Sequence, residues 1–178
     1  RDPNLLDVDL AAEDAVERAV RLFGAKKAPS QRLAVVFEPR LAATLVGIAG
    51  GTLTGERVLK GRSPFADRMG EQIASPLLTL VDDPTDARSL AADSHDGEGL
   101  ACRRNVLIEE GVLRGFLHNA YTGRRAGAAS TGSAVRGYRS TPGVGCQALA
   151  IAPGVGTHEE VLAGIDHGFY VASLTGLH

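Results

Sequence analysis

The sequence predicts an α+β fold with a largely antiparallel sheet and flanking helices. Residues 103–117, RRNVLIEEGVLRGFL, place two apolar runs (106–108 and 112–117) around Glu109-Glu110-Gly111, and glycine supplies the positive φ that a tight hairpin turn requires. Arg103, Arg104 and Arg114 interrupt the apolar residues as side chains on a wetted face would. The order of elements reads helix, strand, helix, then mostly strands with a late helix. Successive strands joined by turn signals, without a helix between each pair, argue for antiparallel pairing. A single hairpin is marginal in water, so other strands must join it.

A chain of 178 residues suffices for one domain with a real core. Nineteen basic against 21 acidic residues, net charge −2, give no sign of a nucleic-acid or anionic-membrane surface. No apolar run approaches the ~20 residues of a membrane helix, and no signal-peptide pattern is present, so a cytoplasmic protein is expected. Cys102 and Cys146 could pair arithmetically, but free thiols are the expectation for that compartment. There is no tryptophan, aromatics make up 4%, and there are 22 glycines, so the core is thin and the domain is expected to lean on a neighbour. The chain reads as a piece of a longer protein.

Residues 10–23 read as an amphipathic helix with Asp9 as its cap, i,i+4 pairs Asp14/Arg18 and Glu17/Arg21, and Gly24 as its stop. Lys26-Lys27 before Pro29 reads as a solvated loop. Residues 33–37 form a short apolar strand, and Pro39 suits the first turn of a helix through Leu41, Leu45 and Ile48. Gly47, Gly50 and Gly51 end that helix. They are not a phosphate loop, because they follow the helix and no Gly-Lys-Ser/Thr accompanies them. Residues 54–60 suggest another helical turn, 61–64 a loop and 77–81 a second strong strand, closed by Asp82-Asp83-Pro84 as a turn opening.

The polar stretch 85–99 contains Ser94-His95-Asp96-Gly97-Glu98-Gly99. His95, Asp96 and Glu98 within four positions invite a metal reading, beside that of a hydrated loop. Residues 119–126 look helical, with Arg124-Arg125 favourably near the C-terminus. Residues 128–145, rich in Ser, Thr, Gly and Pro, read as a long exposed loop. Ser130, Thr131 and Ser133 offer hydroxyls with no activating histidine nearby in sequence. Residues 147–151 return to strand. Thr157 and Glu160 form a capping box for a late helix, so His158-Glu159 is not half of an H-E-x-x-H site. Residues 168–174 close as a strand.

Taken together, the segments Val35-Val36-Phe37 with Pro39, Gly61-Arg62-Ser63, Gly70 to Pro76, Leu80 to Pro84, Asp96 to Gly99, Val106 to Leu113 and Ser130-Thr131-Gly132 resemble, in order, the C-terminal domain of the TldD/PmbA family, once named modulators of DNA gyrase. Each is short, and their ordered set is what is specific. The resemblance implies one such domain over 1–178, with an N-terminal domain and a C-terminal continuation outside these residues. It implies a heterodimeric protease in which TldD carries zinc on a helix patterned H-E-x-x-x-H, with a downstream cysteine, and TldE (PmbA) lacks the motif. Histidines about one helical turn apart can grip one metal while the glutamate deprotonates its bound water. In this chain Val46, Gly47 and Gly51 stand at the ligand and base positions, and none can bind zinc or move a proton. Cys102 and Cys146 do not match the family cysteine.

The expectation is therefore a TldE-like subunit with no cofactor of its own, zinc residing in a TldD-like partner, and extended, unfolded peptides as substrate. A homodimer is the other assembly considered. Two further functional readings are a self-sufficient metal-dependent hydrolase built on His95, Asp96 and Glu98, and a binding module acting on gyrase.

Overall fold

The computed structural model describes residues 7–176 and divides the chain into two compact units, Arg1–Leu33 and Ala34–His178. In the first unit, helix α1 (Val8–Val20) is capped by Asp7, whose carboxylate accepts the Leu10 N–H at 2.8 Å. The sequence pointed to Asp9 instead. The helix begins two residues before the expected start, and Asp7 is the residue with extended backbone (φ −81°, ψ 97°), as a cap requires. Asp14–Arg18 and Glu17–Arg21 pair as expected, and Gly24 stops the segment with φ +72°. No residue of α1 is buried.

The second unit opens with β1 (Ala34–Phe37) and α2 (Pro39–Thr52). Pro39 stands at the first helical position, and the Glu38 side chain accepts the N–H groups of Arg40 and Leu41. Thr54 caps the short α3 (Gly55–Leu59). The main sheet has the order β4-β3-β2-β7, from β2 (Leu80–Asp82), β3 (Asn105–Glu109), β4 (Val112–Leu113) and β7 (Leu149–Ile151), and every pairing in it is antiparallel. The turn between β3 and β4 puts both Glu110 (φ 47°) and Gly111 (φ 80°) in the left-handed region, the signature of a type I′ hairpin.

A second antiparallel pair joins β5 (Ala134–Val135) to β6 (Gly143–Val144). The sequence read 128–145 as one exposed loop. Several of its groups are instead bonded to distant partners, such as Thr131 to His118 and the Ala134 N–H to Asp96, and Gly132, Ser133 and Ala134 are buried, while 128–129 and 135–141 are exposed. β1 pairs in parallel with β8 (Gly168–Val171), Ala34 opposite Gly168, which joins the two ends of the unit. Helices α4 (Ala120–Ala126) and α5 (His158–Ala163) each carry a capping box, from Asn119 with Thr122 and from Thr157 with Glu160.

The core is Leu53, Leu80, Leu107, Ile108, Leu113 and Leu117, with Val46, Phe65, Cys146 and Leu149 among the side chains packed around it. It is aliphatic, as the composition implied. Among the described residues no helix is long and apolar enough to cross a membrane.

Candidate functional site

Helix α2 lies against β7, and the contact sets which of its residues can face a ligand. Gly50 is buried, and a methyl group there would lie 2.5 Å from Leu149 Cδ2 and 3.0 Å from Cys146 Sγ. Val46 is half-buried against the core. Gly47 and Gly51 are exposed, with open space where side chains would project. Zinc needs nitrogen, oxygen or sulfur donors. Val46 offers only hydrocarbon and the two glycines offer nothing, so these residues do not fit the metal. Among the described residues no group of three His, Cys, Asp or Glu side chains could hold a metal ion.

Across the sheet, Asp82 is fully buried. The sequence placed it in a turn, but it is the last residue of β2, opposite Leu149. Its Oδ1 accepts the N–H of Gln147 at 2.9 Å and of Ala148 at 2.7 Å, which fixes the entry of β7. Oδ2 has no partner. Burial raises the carboxyl's pKa above its usual value, the two backbone donors pull the other way, and the neighbouring Asp83 charge adds to the rise.

β7 is the open edge of the main sheet. The other edge, β4, is covered by the segment around Gln72, with Gly70 N–H donating to Leu113 and Leu113 N–H to Glu71. On β7 the Ala148 carbonyl accepts from Asp83 and the Ala152 N–H donates to Thr79, so alternation turns the main-chain groups of Leu149 and Ile151 away from β2. Among the described residues no strand pairs with that outer side. Beside it runs a cleft of about 420 Å³ lined by Asp86, Leu90, Gln147, Leu149 and others.

The structure separates the functions of His95, Asp96 and Glu98. Asp96 Oδ1 accepts the N–H of Glu98 and of Leu100, and its Oδ2 accepts the Ala134 N–H at 3.0 Å, so the carboxylate organises the loop and ties it to β5. Glu98 reaches the Ala120 N–H at 2.9 Å. His95 is exposed, with Nδ1 2.9 Å from Ser94 Oγ. Both carboxylates are occupied by backbone donors.

Sequence reasoning did not single out His118, which is 8% exposed. Its Nδ1 lies 3.3 Å from Thr122 Oγ1, and burial lowers its pKa. The hydroxyls that lacked a histidine neighbour in sequence do meet this one, but at its main chain. The His118 N–H donates to Thr131 Oγ1 at 2.7 Å, and Ser130 Oγ donates to the His118 carbonyl at 3.2 Å. Ser133 is wholly buried, bonded to Thr131. The bonds of Ser130 and Thr131 to His118 are to its main chain and Ser133 is bonded to Thr131, so these three hydroxyls serve as scaffold. Cys102 and Cys146 are free thiols; burial pushes Cys146 up to about 12.

Comparison with known proteins identifies the family. Residues 30–178 match the family described as the PmbA/TldA metallopeptidase C-terminal domain. A metalloprotease of Methanocaldococcus jannaschii is 31% identical over 93% of this chain and 37% of its own length. A Haemophilus influenzae protein named as a metalloprotease TldD homolog is 30% identical over 94% and 35%. The crystal structure of TldE from Thermococcus kodakarensis superposes with a TM-score of 0.86 at 32% identity, covering 97% of this chain and 39% of that one. A Thermotoga maritima structure, described as a candidate modulator of a DNA gyrase, gives 0.88 at 29%, covering 100% and 40%. The chain thus spans little more than a third of the length of the relatives it matches. With a family match over most of its length and the same α+β architecture in the solved relatives, this chain belongs to the PmbA/TldD metallopeptidase family.

Proposed function

We propose that the protein is a TldE-like, non-catalytic subunit that pairs with a TldD-like zinc protease and helps hold extended peptides for cleavage. What supports this reading is α2, where the residues that the family resemblance sets at the ligand and base positions are Val46, half-buried against the core, and the exposed Gly47 and Gly51, none with a side-chain donor atom. The zinc and its attacking water belong to the partner. This chain contributes binding surface. The open edge of β7, with the cleft alongside it, can take an extended segment as an added strand through main-chain hydrogen bonds, which recognise backbone with little regard to sequence. The exposed apolar residues Ile48 on α2 and Ile151 on β7 suit a surface that a partner or substrate covers.

The test is elemental analysis and peptide cleavage on the full-length protein, purified alone and with its co-expressed TldD-like partner. The expected result is zinc and cleavage in the pair only. One zinc per chain in the protein alone, or full activity of the partner alone, would overturn the reading. Purified pairs should also run as one species on size exclusion. The His95-centred hydrolase is disfavoured because Asp96 and Glu98 are bonded to backbone donors. For gyrase modulation the support is the description of solved relatives such as the Thermotoga maritima protein.

A further inference from the structure

Between Gly111 and His158 the sequence holds five arginines, Arg114, Arg124, Arg125, Arg136 and Arg139, and no aspartate or glutamate, in a chain of net charge −2. Of these five, Arg125 lines a cavity. About 400 Å³ in volume, it lies between α3, α4 and the turn at 141–143, and its walls include Glu56, Leu59, Lys60, Tyr121, Arg125 and Pro142. That volume is within the ~300–1,000 Å³ of small-ligand clefts. One wall is fixed from behind: Asn119 is 4% exposed, and its Nδ2 donates to the carbonyls of Pro142 and Gly143, both at 3.3 Å. The same residue's Oδ1 accepts the Thr122 N–H at 2.8 Å, so cap and wall are held by one side chain.

The charges in the cavity are unequal in what they leave free. Lys60 is ion-paired with Glu56, one helical turn away. Arg125, among the described residues, has no ion pair, and it stands beside Tyr121, which is 59% exposed. Two cations against one carboxylate leave a net charge of about one, which suits a monoanion and sets Glu56 against a phosphate dianion. A guanidinium fork matches a carboxylate with two parallel hydrogen bonds. The apolar surfaces of Leu59, Tyr121 and Pro142 suit a side chain next to that carboxylate.

We infer that this cavity binds a carboxylate of an extended peptide, with Arg125 as its ionic partner. The inference rests on the proposed handling of peptides and adds an acidic anchor to it. The carboxylate comes either from the peptide's C-terminus or from an Asp or Glu side chain, and the two sources are separable. Three unlabelled, N-acetylated hexapeptides would be titrated into the full-length protein by isothermal titration calorimetry: one with a free C-terminus and no acidic side chain, one amidated with a single Glu, and one amidated with no acid.

At least one carboxylate peptide should bind about tenfold more tightly than the neutral one, as expected for a charged hydrogen bond, and which one identifies the source. Arg125→Gln should remove that preference while keeping the parent's melting temperature, since the residue is exposed. Equal binding of all three peptides by the parent would overturn the inference. So would an unchanged preference in a folded Arg125→Gln variant. Co-purification of the TldD-like partner is read separately. Loss of that pairing in the parent protein would sink the proposed subunit role, whereas the peptide preference alone decides this cavity.

Discussion

Gly55, the first residue of α3, faces the imidazole of His118 with no room for a methyl group between them. A Cβ at Gly55 would fall closer than 3.0 Å to both Nδ1 and Cε1 of the ring. The ring cannot retreat easily, because it is 8% exposed and its Nδ1 sits 3.3 Å from Thr122 Oγ1 on α4. The pair therefore sets the approach of α3 to α4, the two helices that wall the cavity around Arg125. Gly55→Ala is expected to destabilise the protein by about 1–3 kcal/mol through overpacking, measured by urea denaturation.

Burial gives His118 a pH signature. Its folded pKa lies below the ordinary value of 6.5, because the charged ring is poorly solvated. The unfolded chain binds the proton first, so stability is complete above pH 6.5 and falls as pH drops through that value toward the lower folded pKa. Denaturation midpoints at pH 7.5 and 5.0 should differ less for His118→Gln than for the parent. Equal differences would show that the ring is not buried as described.

The hairpin turn depends on Gly111. Its φ of 80° strains any other L-residue, and a Cβ there would come within 3.0 Å of the carbonyl oxygens of Ala74 and Ser75. Backbone oxygens in a bonded segment have little freedom to move, since Ala74 N–H itself donates to the Gly111 carbonyl. Gly111→Ala should cost about 3 kcal/mol, combining left-handed strain with overpacking, and would be read as a lowered melting temperature.

Asp82 carries opposing effects that two substitutions separate. Asp82→Ala deletes the acceptor of two backbone donors and should destabilise by about 2–4 kcal/mol. Asp82→Asn retains an oxygen for Gln147 and Ala148 and removes the cost of burying a charge. The folded pKa of Asp82 is raised, so its contribution is present below the unfolded value of 3.8 and is lost as pH rises through the folded pKa. The stability of Asp82→Asn relative to the parent should accordingly improve as pH increases from 3 toward 7 in denaturation measurements.

Cys146 should be a slow thiol. Burial and the nearby Asp82 hold its pKa at about 12, leaving little thiolate at neutral pH. At pH 8, labelling by a water-soluble disulfide reagent should be slow in the folded protein and become rapid in denaturant. Fast labelling of a Cys102→Ser variant would contradict the packing of Cys146 against α2 and the core.

What sequence alone determined about this protein is whatever is local in cause. The β3–β4 hairpin was legible because Glu109-Glu110-Gly111 meets the φ demands of its own turn, and the start of α2 because Pro39 suits a first turn whatever surrounds it. The capping box of α5 was legible for the same reason, since Thr157 and Glu160 satisfy each other within one turn. Family membership was legible because short motifs kept their order along the chain. Tertiary structure decided the rest. Asp82 looked like a turn residue until Gln147 and Ala148, far along the chain, supplied donors that hold it in a buried strand. Residues 128–145 looked like a loop because small polar residues are common there, and partners outside the segment, among them Asp96, Asn105, His118 and Asn119, convert part of it into packed structure. The parallel pairing of β1 with β8 and the placing of β7 beside β2 join segments with no local signal for each other. The cavity around Arg125 follows the same rule: its charge was written in the sequence, and its walls came from three segments that only the folded chain brings together.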